Sequence, residues 1–189
     1  MKKSIILINK LIFCFFIFQS FNVSADSGKV TGLEIPRFVS IKSNDANLRI
    51  GPSINYPIVL KYIKKNLPVE VIEEFDVWRK IKDNKSNTGW LHKSLIKGDR
   101  YLLTITYKNR DIDIFNHPNG KKIGIVKKNN ILKLERCLEN WCLFNLEKNT
   151  GWILKENLWG VYKKEIYNLP VYQPILNKFW EIKKKQWFK

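Results

Sequence analysis

The sequence is poor in the residue types that most chemistry requires. It contains only two histidines and three cysteines in 189 residues. Nucleophilic or acid–base catalysis needs a nucleophile, a base and an orienting group within hydrogen-bond reach, and neither His92 nor His117 stands beside a Ser or Cys pattern of that kind. His92 falls in a predicted strand and His117 precedes Pro118 in a predicted turn, so both read as solvated surface residues. A zinc site needs about four nitrogen or sulfur ligands, and no such set is clustered here. A phosphate-binding glycine loop is missing too. Acidic residues are scarce, 17 against 34 lysines and arginines, giving a formal charge of +17. No cofactor and no dedicated nucleic-acid motif is expected.

Long apolar runs are also lacking. A membrane span needs about 20 consecutive apolar residues, and Asn9-Lys10 and Gln19-Ser20 interrupt the N-terminal run before that length. Met1-Lys2-Lys3, the apolar stretch Leu11 to Phe18 and Val23-Ser24-Ala25 instead read as a secretory signal peptide, residues 1–25, cleaved after Ala25. An uncleaved anchor is the alternative. Cys14 follows bulky Phe13 inside the apolar region, which argues against lipidation. Loss of Lys2, Lys3 and Lys10 would lower the charge from +17 to +14, still enough to attract anionic polymers or surfaces. The lysines are scattered, however, and abundant Lys, Asn and Ile is also what an AT-rich genome produces.

What is present is a repeat. Ile63 to Val71 aligns with Val126 to Leu134 at an offset of 63, Trp78 then meets Trp141, and after a one-residue deletion Asn87-Thr88-Gly89-Trp90-Leu91 meets Asn149-Thr150-Gly151-Trp152-Ile153. Gly98 and Gly160 close the two units, placed at 38–98 and 102–160 and followed by a tail, 161–189. Short stretches rich in β-branched and aromatic residues, among them Pro57 to Tyr62, Val69 to Phe75 and Val77 to Lys82, alternate with turn signals. Each unit is too small for a βαβ fold. The expected class is all-β, with short strands closing into small barrels that remove exposed edges.

In the first unit, Asn47-Leu48-Arg49-Ile50-Gly51-Pro52-Ser53, then Tyr56-Pro57, Trp78 and Gly89-Trp90, resemble the bacterial SH3 domain pattern over residues 40–98. The second unit has Asp113-Ile114-Phe115-Asn116-His117-Pro118 where that pattern opens, but keeps the later strands and Gly151-Trp152. With the leader and the cysteine pair, the arrangement resembles exported proteobacterial proteins carrying two tandem SH3-like domains. The resemblance implies two small barrels and a non-catalytic binding role without supplying a ligand.

Removing Cys14 leaves Cys137 and Cys142, an even number in a chain bound for an oxidising compartment. At the repeat offset they correspond to Glu74 and Arg79, a pair of opposite charge, which points to neighbours across a hairpin. A structural disulfide is expected, a free or redox-active pair being the alternative. If Leu134 and Phe144 both face the core, strict alternation sets the two cysteines on opposite faces, so a bulge has to intervene.

The same alternation sets Trp78 and Lys80 opposite Ile81, predicting an exposed Trp78 and, by repetition, an exposed Trp141. Exposed tryptophans are favoured at binding surfaces. The SH3 resemblance implies a ligand groove there, with Trp90 or Trp152 nearby; Tyr56 and Tyr62 extend it unless they pack internally. Trp90 and Trp152 have packing between barrels as their competing reading. The first unit, with Trp78 and the full pattern, is the expected binding unit, and the second the more architectural. The tail carries seven lysines against two glutamates, interleaved with aromatics. A short helix from Pro174 would gather Leu176, Phe179, Trp180 and Trp187 for peripheral membrane contact; the competing reading wraps the tail onto the second barrel. The expected partner is a cell-envelope polymer or protein, peptidoglycan first, with anionic lipid or nucleic acid as the alternative. A thiol oxidoreductase is disfavoured because the cysteine spacing is not Cys-x-x-Cys.

Overall fold

The computed structural model describes residues 26–106, 111–146 and 149–170. Ala25 and the leader, and the proposed helix after Pro174, lie outside the described residues.

A short two-stranded ribbon, β1 (Asp26–Ser27) with β2 (Glu34–Ile35), leads into a seven-stranded antiparallel sheet. Its strands are β3 (Arg37–Ile41), β4 (Ala46–Arg49), β5 (Ile58–Tyr62), β6 (Pro68–Phe75), β7 (Trp78–Lys82), β8 (Thr88–His92) and β9 (Ile96–Lys97). A second sheet follows from β10 (Tyr101–Thr104), β11 (Ile112–Phe115), β12 (Lys122–Val126), β13 (Ile131–Cys137), β14 (Trp141–Leu146), β15 (Asn149–Leu154) and β16 (Leu158–Trp159). The spatial orders, β5-β4-β8-β7-β6-β3-β9 and β12-β11-β15-β14-β13-β10-β16, are the same order shifted by seven strands. The sequence repeat is therefore a repeat of topology.

Among the described residues no second layer of secondary structure covers either sheet, so each curls to bury its own apolar face. Val39, Ile41, Leu48, Val69, Val71, Ile81 and Leu91 form the first core. Leu102, Ile112, Leu132, Leu134, Phe144 and Ile153 join Cys137 and Cys142 in the second. The Gly-Trp pair in each unit has a steric reason at its first residue. A Cβ on Gly89 would lie 2.7 Å from the Arg49 carbonyl oxygen and from Leu48, and one on Gly151 would collide with Ile114. Only glycine lets β4 and β11 cross their neighbours this closely.

The repeat extends to irregularities. Asn66 and Asn129 occupy the left-handed region at φ 67° and 65°, tolerable for Asn, and their amides donate to the Ile41 and Thr104 carbonyls, both at 2.8 Å. The register slips between Val71 and Glu73 and again between Leu134 and Arg136. The required bulge is thus present in both hairpins.

The two barrels share a seam. Phe38 points away from its own core, yet it is buried by Trp159 (centroids 5.1 Å) and Tyr162 (4.7 Å). Trp159 Nε1 donates to the Pro68 carbonyl at 3.1 Å and the Tyr162 hydroxyl to Glu70 at 3.0 Å. Leu103, outward-facing on β10, is likewise only 4% exposed. Burial, then the Glu70 carboxylate, pushes the Tyr162 phenol above its ordinary range, so it stays a donor.

Candidate functional site

After the bulge at Glu135, Cys137 and Cys142 pair directly across the β13–β14 hairpin, with Cα atoms 4.1 Å apart, and form a disulfide. Both cysteines are fully buried. In the first barrel the equivalent pair, Glu74 and Arg79, is in register at the same place, Arg79 Nε lying 3.4 Å from the carboxylate. Glu74 also accepts from Arg37 Nη2 at 2.6 Å, from the Thr31 hydroxyl at 2.7 Å and from the Val30 and Thr31 amides. Burial alone would raise the Glu74 pKa, but these hydrogen bonds prevail and hold it at about 2. The loop between β1 and β2 was not foreseen as its cover, because nothing in Gly28 to Thr31 signals a partner more than 40 residues away.

The disulfide fixes the residue beside it. Trp141 precedes Cys142, so strand alternation turns it outward, and Leu138 N–H donates to its carbonyl at 2.8 Å to close the turn. Phe115 meets the indole edge-on at 5.1 Å. The 3-10 turn Lys155–Asn157 is tied to the hairpin by Lys155 N–H donating to the Asn140 carbonyl at 3.0 Å. Between these elements lies a groove of about 570 Å³ lined by Asn119, Asn140, Trp141, Leu154, Glu156 and Lys163 among others. It combines an aromatic wall with amides, a carboxylate and an ammonium group.

The segment after β16 forms part of the same groove. Glu165 pairs with Arg100 at 2.8 Å and accepts from the Tyr162 amide at 3.0 Å, while Tyr167 and Cys137 exchange backbone hydrogen bonds. Lys155 Nζ donates to the carbonyls of Lys163 and Glu165, and burial moves its pKa below the ordinary lysine value. The described start of the tail therefore wraps onto the second barrel.

The first barrel is arranged differently. Trp78 is only 8% exposed, which corrects the expectation of an exposed ring. Alternation does put it on the outer face, but its cross-strand neighbour is His92, whose ring meets it edge-on at 5.6 Å. His92 is itself no free surface group, since its Nδ1 accepts from Ser94 N–H and caps the following turn. Trp90 is equally covered, with Lys80 Nζ 5.8 Å above its ring. Arg49, paired with Trp90 in register, donates to the Tyr56 carbonyl at 2.7 Å and so closes the loop bearing the Gly-Pro-Ser motif. Tyr56 stays exposed, its ring laid over Gly51 where a Cβ would sit 2.6 Å away. Tyr62 turns inward and donates to Asp83 at 3.1 Å. In the second barrel Phe115 replaces Arg49, and Trp152, partly buried, pairs with Phe115 and Leu143.

Sequence reasoning anticipated the disulfide and singled out Trp141, which is partly buried rather than exposed and lines this groove, but missed Asn119, Asn140, Glu156 and Lys163. Their types are common on any surface; only the chain crossings bring them together. Among the described residues no group of three His, Cys, Asp or Glu could hold a metal ion, and no helix is long and apolar enough to cross a membrane.

Comparison with known proteins yields no curated protein that matches the chain. Among solved structures, NlpC1 from Trichomonas vaginalis is similar at 14% identity with a TM-score of 0.29, over 75% of this chain and 50% of that one. The chain thus spans about half the length of that protein. Residues 42–98 and 114–160 each match the family described as "Bacterial SH3 domain". Two seven-stranded sheets of one order and two family matches lead to one conclusion: the chain belongs to the bacterial SH3 domain family, as two tandem SH3-like domains.

Proposed function

We propose that this protein is an exported, non-catalytic binding protein whose tandem domains recognise a cell-envelope polymer, with peptidoglycan as the first candidate. The observation that carries the proposal is the groove beside Trp141. It offers a partly buried indole that lines the groove, flanked by Asn119, Asn140 and Glu156 as hydrogen-bonding groups, the combination of flat apolar wall and convergent polar groups that a ligand site needs. Membership of a family whose modules commonly target the wall supports the polymer reading, and the leader-like N-terminus together with the disulfide supports export.

The groove shifts the proposed binding role toward the second barrel. Trp78, the expected ligand contact of the first barrel, is shut in by His92; Trp141 has Leu154 as its cross-strand neighbour and lines the open groove with it. The basic charge gives the alternative partner, an anionic surface, whose binding would fall steeply with salt. Co-sedimentation with purified sacculi and with anionic lipid vesicles, at low and at physiological salt, tests both. Retention by sacculi that survives added salt is expected. No retention at low salt, or retention by vesicles alone, would overturn the peptidoglycan reading.

A further inference from the structure

A second concavity, about 320 Å³, lies at the seam between the barrels and is independent of the Trp141 groove. Its floor is apolar: Leu60 and Leu67 come from the first barrel and Leu103 from the second. Leu103 alternates with the core residues Leu102 and Thr104 and so faces out of its own barrel. Tyr62 and Asp83, both buried, also line it.

Asp83 is the groove's carboxylate, and its acceptor capacity is spent. Oδ1 accepts from the Lys85 and Asn87 amides, both at 2.9 Å; Oδ2 accepts from the Tyr62 hydroxyl at 3.1 Å and Asn87 Nδ2 at 2.8 Å. At the mouth stand Lys64 and Lys85, both solvent-exposed. Neither ammonium group has a carboxylate within ion-pair distance among the described residues, in contrast to the neighbouring Lys61 and Lys82. Asn84 and Asn129 add amide groups at the same rim, one from each barrel. The groove thus has two uncommitted positive charges above three leucines, and a carboxylate already saturated by its own loop.

We propose that this seam groove binds an anionic head carried on a short aliphatic stem, a carboxylate or phosphate held by Lys64 and Lys85 with its hydrocarbon part on Leu60, Leu67 and Leu103. A lysine is a point charge that holds phosphate and carboxylate alike, without the planar fork by which Arg selects carboxylates. The leucine floor contributes only through the apolar area that the stem removes from water. The size of the space, at the lower end for ligand sites, restricts the occupant to a small molecule or to one terminal group of a larger one.

Methyl NMR titration of the purified protein with hexanoate and hexyl phosphate tests the assignment, with 1-hexanol and inorganic phosphate as controls. Saturable shifts of the Leu60, Leu67 and Leu103 methyls are expected with at least one of the two anions, and which one saturates separates a carboxylate source from a phosphate source. Binding should weaken at least tenfold in K64Q/K85Q, two exposed substitutions that leave the fold intact by circular dichroism, and should be unchanged in W141A. Both controls should bind at least tenfold more weakly than the best anion. Absence of saturable shifts, affinity unchanged in K64Q/K85Q, or inorganic phosphate binding as tightly as hexyl phosphate would overturn the proposal.

Discussion

Trp78 and Trp141 occupy the same position in two copies of one fold, and what separates them is the residue opposite. His92 across from Trp78 packs its ring edge-on and closes the indole in; Leu154 across from Trp141 leaves the ring beside a groove. A buried aromatic truncated to alanine costs about 3–5 kcal/mol, whereas a partly buried one beside a groove, as Trp141 is, costs less. W78A is therefore expected to lower stability by about 3 kcal/mol in denaturant melts and W141A by about 1 kcal/mol or less. Equal losses would mean that the two rings are equally packed. Alternation in the sequence was enough to place both tryptophans on the outer face. It was not enough to tell which would be covered, because the cover comes from a strand ten or more residues away whose register the pattern does not state. The lining residues Asn119 and Lys163 were invisible for the same reason: each is an ordinary surface residue until the chain crossing brings it to Trp141.

At the scale of elements, the β6–β7 and β13–β14 hairpins solve one problem in two ways. Both carry a bulge before the turn, and both then face a pair of positions inward. The first fills them with Glu74 and Arg79 and covers the pair with the loop of β1 and β2; the second fills them with a disulfide and covers it with the strand-like pairing of Tyr167. The need for a bulge was readable from the conflict between Leu134, Phe144 and the cysteines, and the equivalence of the two pairs from the repeat offset. The cover was not readable. Reducing the Cys137–Cys142 bond, which closes a very short loop, should cost about 2 kcal/mol, and intact mass should show the oxidised protein 2 Da lighter than the reduced one, about the mass of the two hydrogens lost. Glu74 makes the first hairpin acid-sensitive. Its folded pKa of about 2 lies below the unfolded value near 4.3, so its stabilisation is complete above that unfolded value and is lost as pH falls toward 2. E74Q should accordingly unfold with a flatter pH dependence between about pH 4.5 and 2, and should lose about 3 kcal/mol at neutral pH by stranding Arg37 and Arg79. An unchanged acid limb in that variant would show that Glu74 is not the titrating group.

Across the whole molecule, the outward faces of β3 and β10 turn two small barrels into one body. Phe38, Trp159 and Tyr162 are apolar where solvent would be expected, and each is spent on the seam. W159A removes both the ring contact with Phe38 and the hydrogen bond to Pro68, so the two barrels should then tumble independently, with ¹⁵N relaxation giving shorter correlation times than in the intact protein. Retained joint tumbling would mean that other contacts suffice. The division into two units and the all-β character were legible in the repeat, since a packing pattern used twice in one chain reports itself twice; the strand order was not, because alternation does not say which strands pair. The seam was not, because each of its residues lies in only one copy.

Trp141 is the proposed contact for an envelope polymer, and a binding isotherm on purified sacculi at physiological salt, wild type against W141A, tests that role most directly. At least a tenfold weaker apparent affinity in W141A, about 1.4 kcal/mol, with W141A still folded, is the predicted result; sacculus binding by W141A equal to that of the wild type would contradict it.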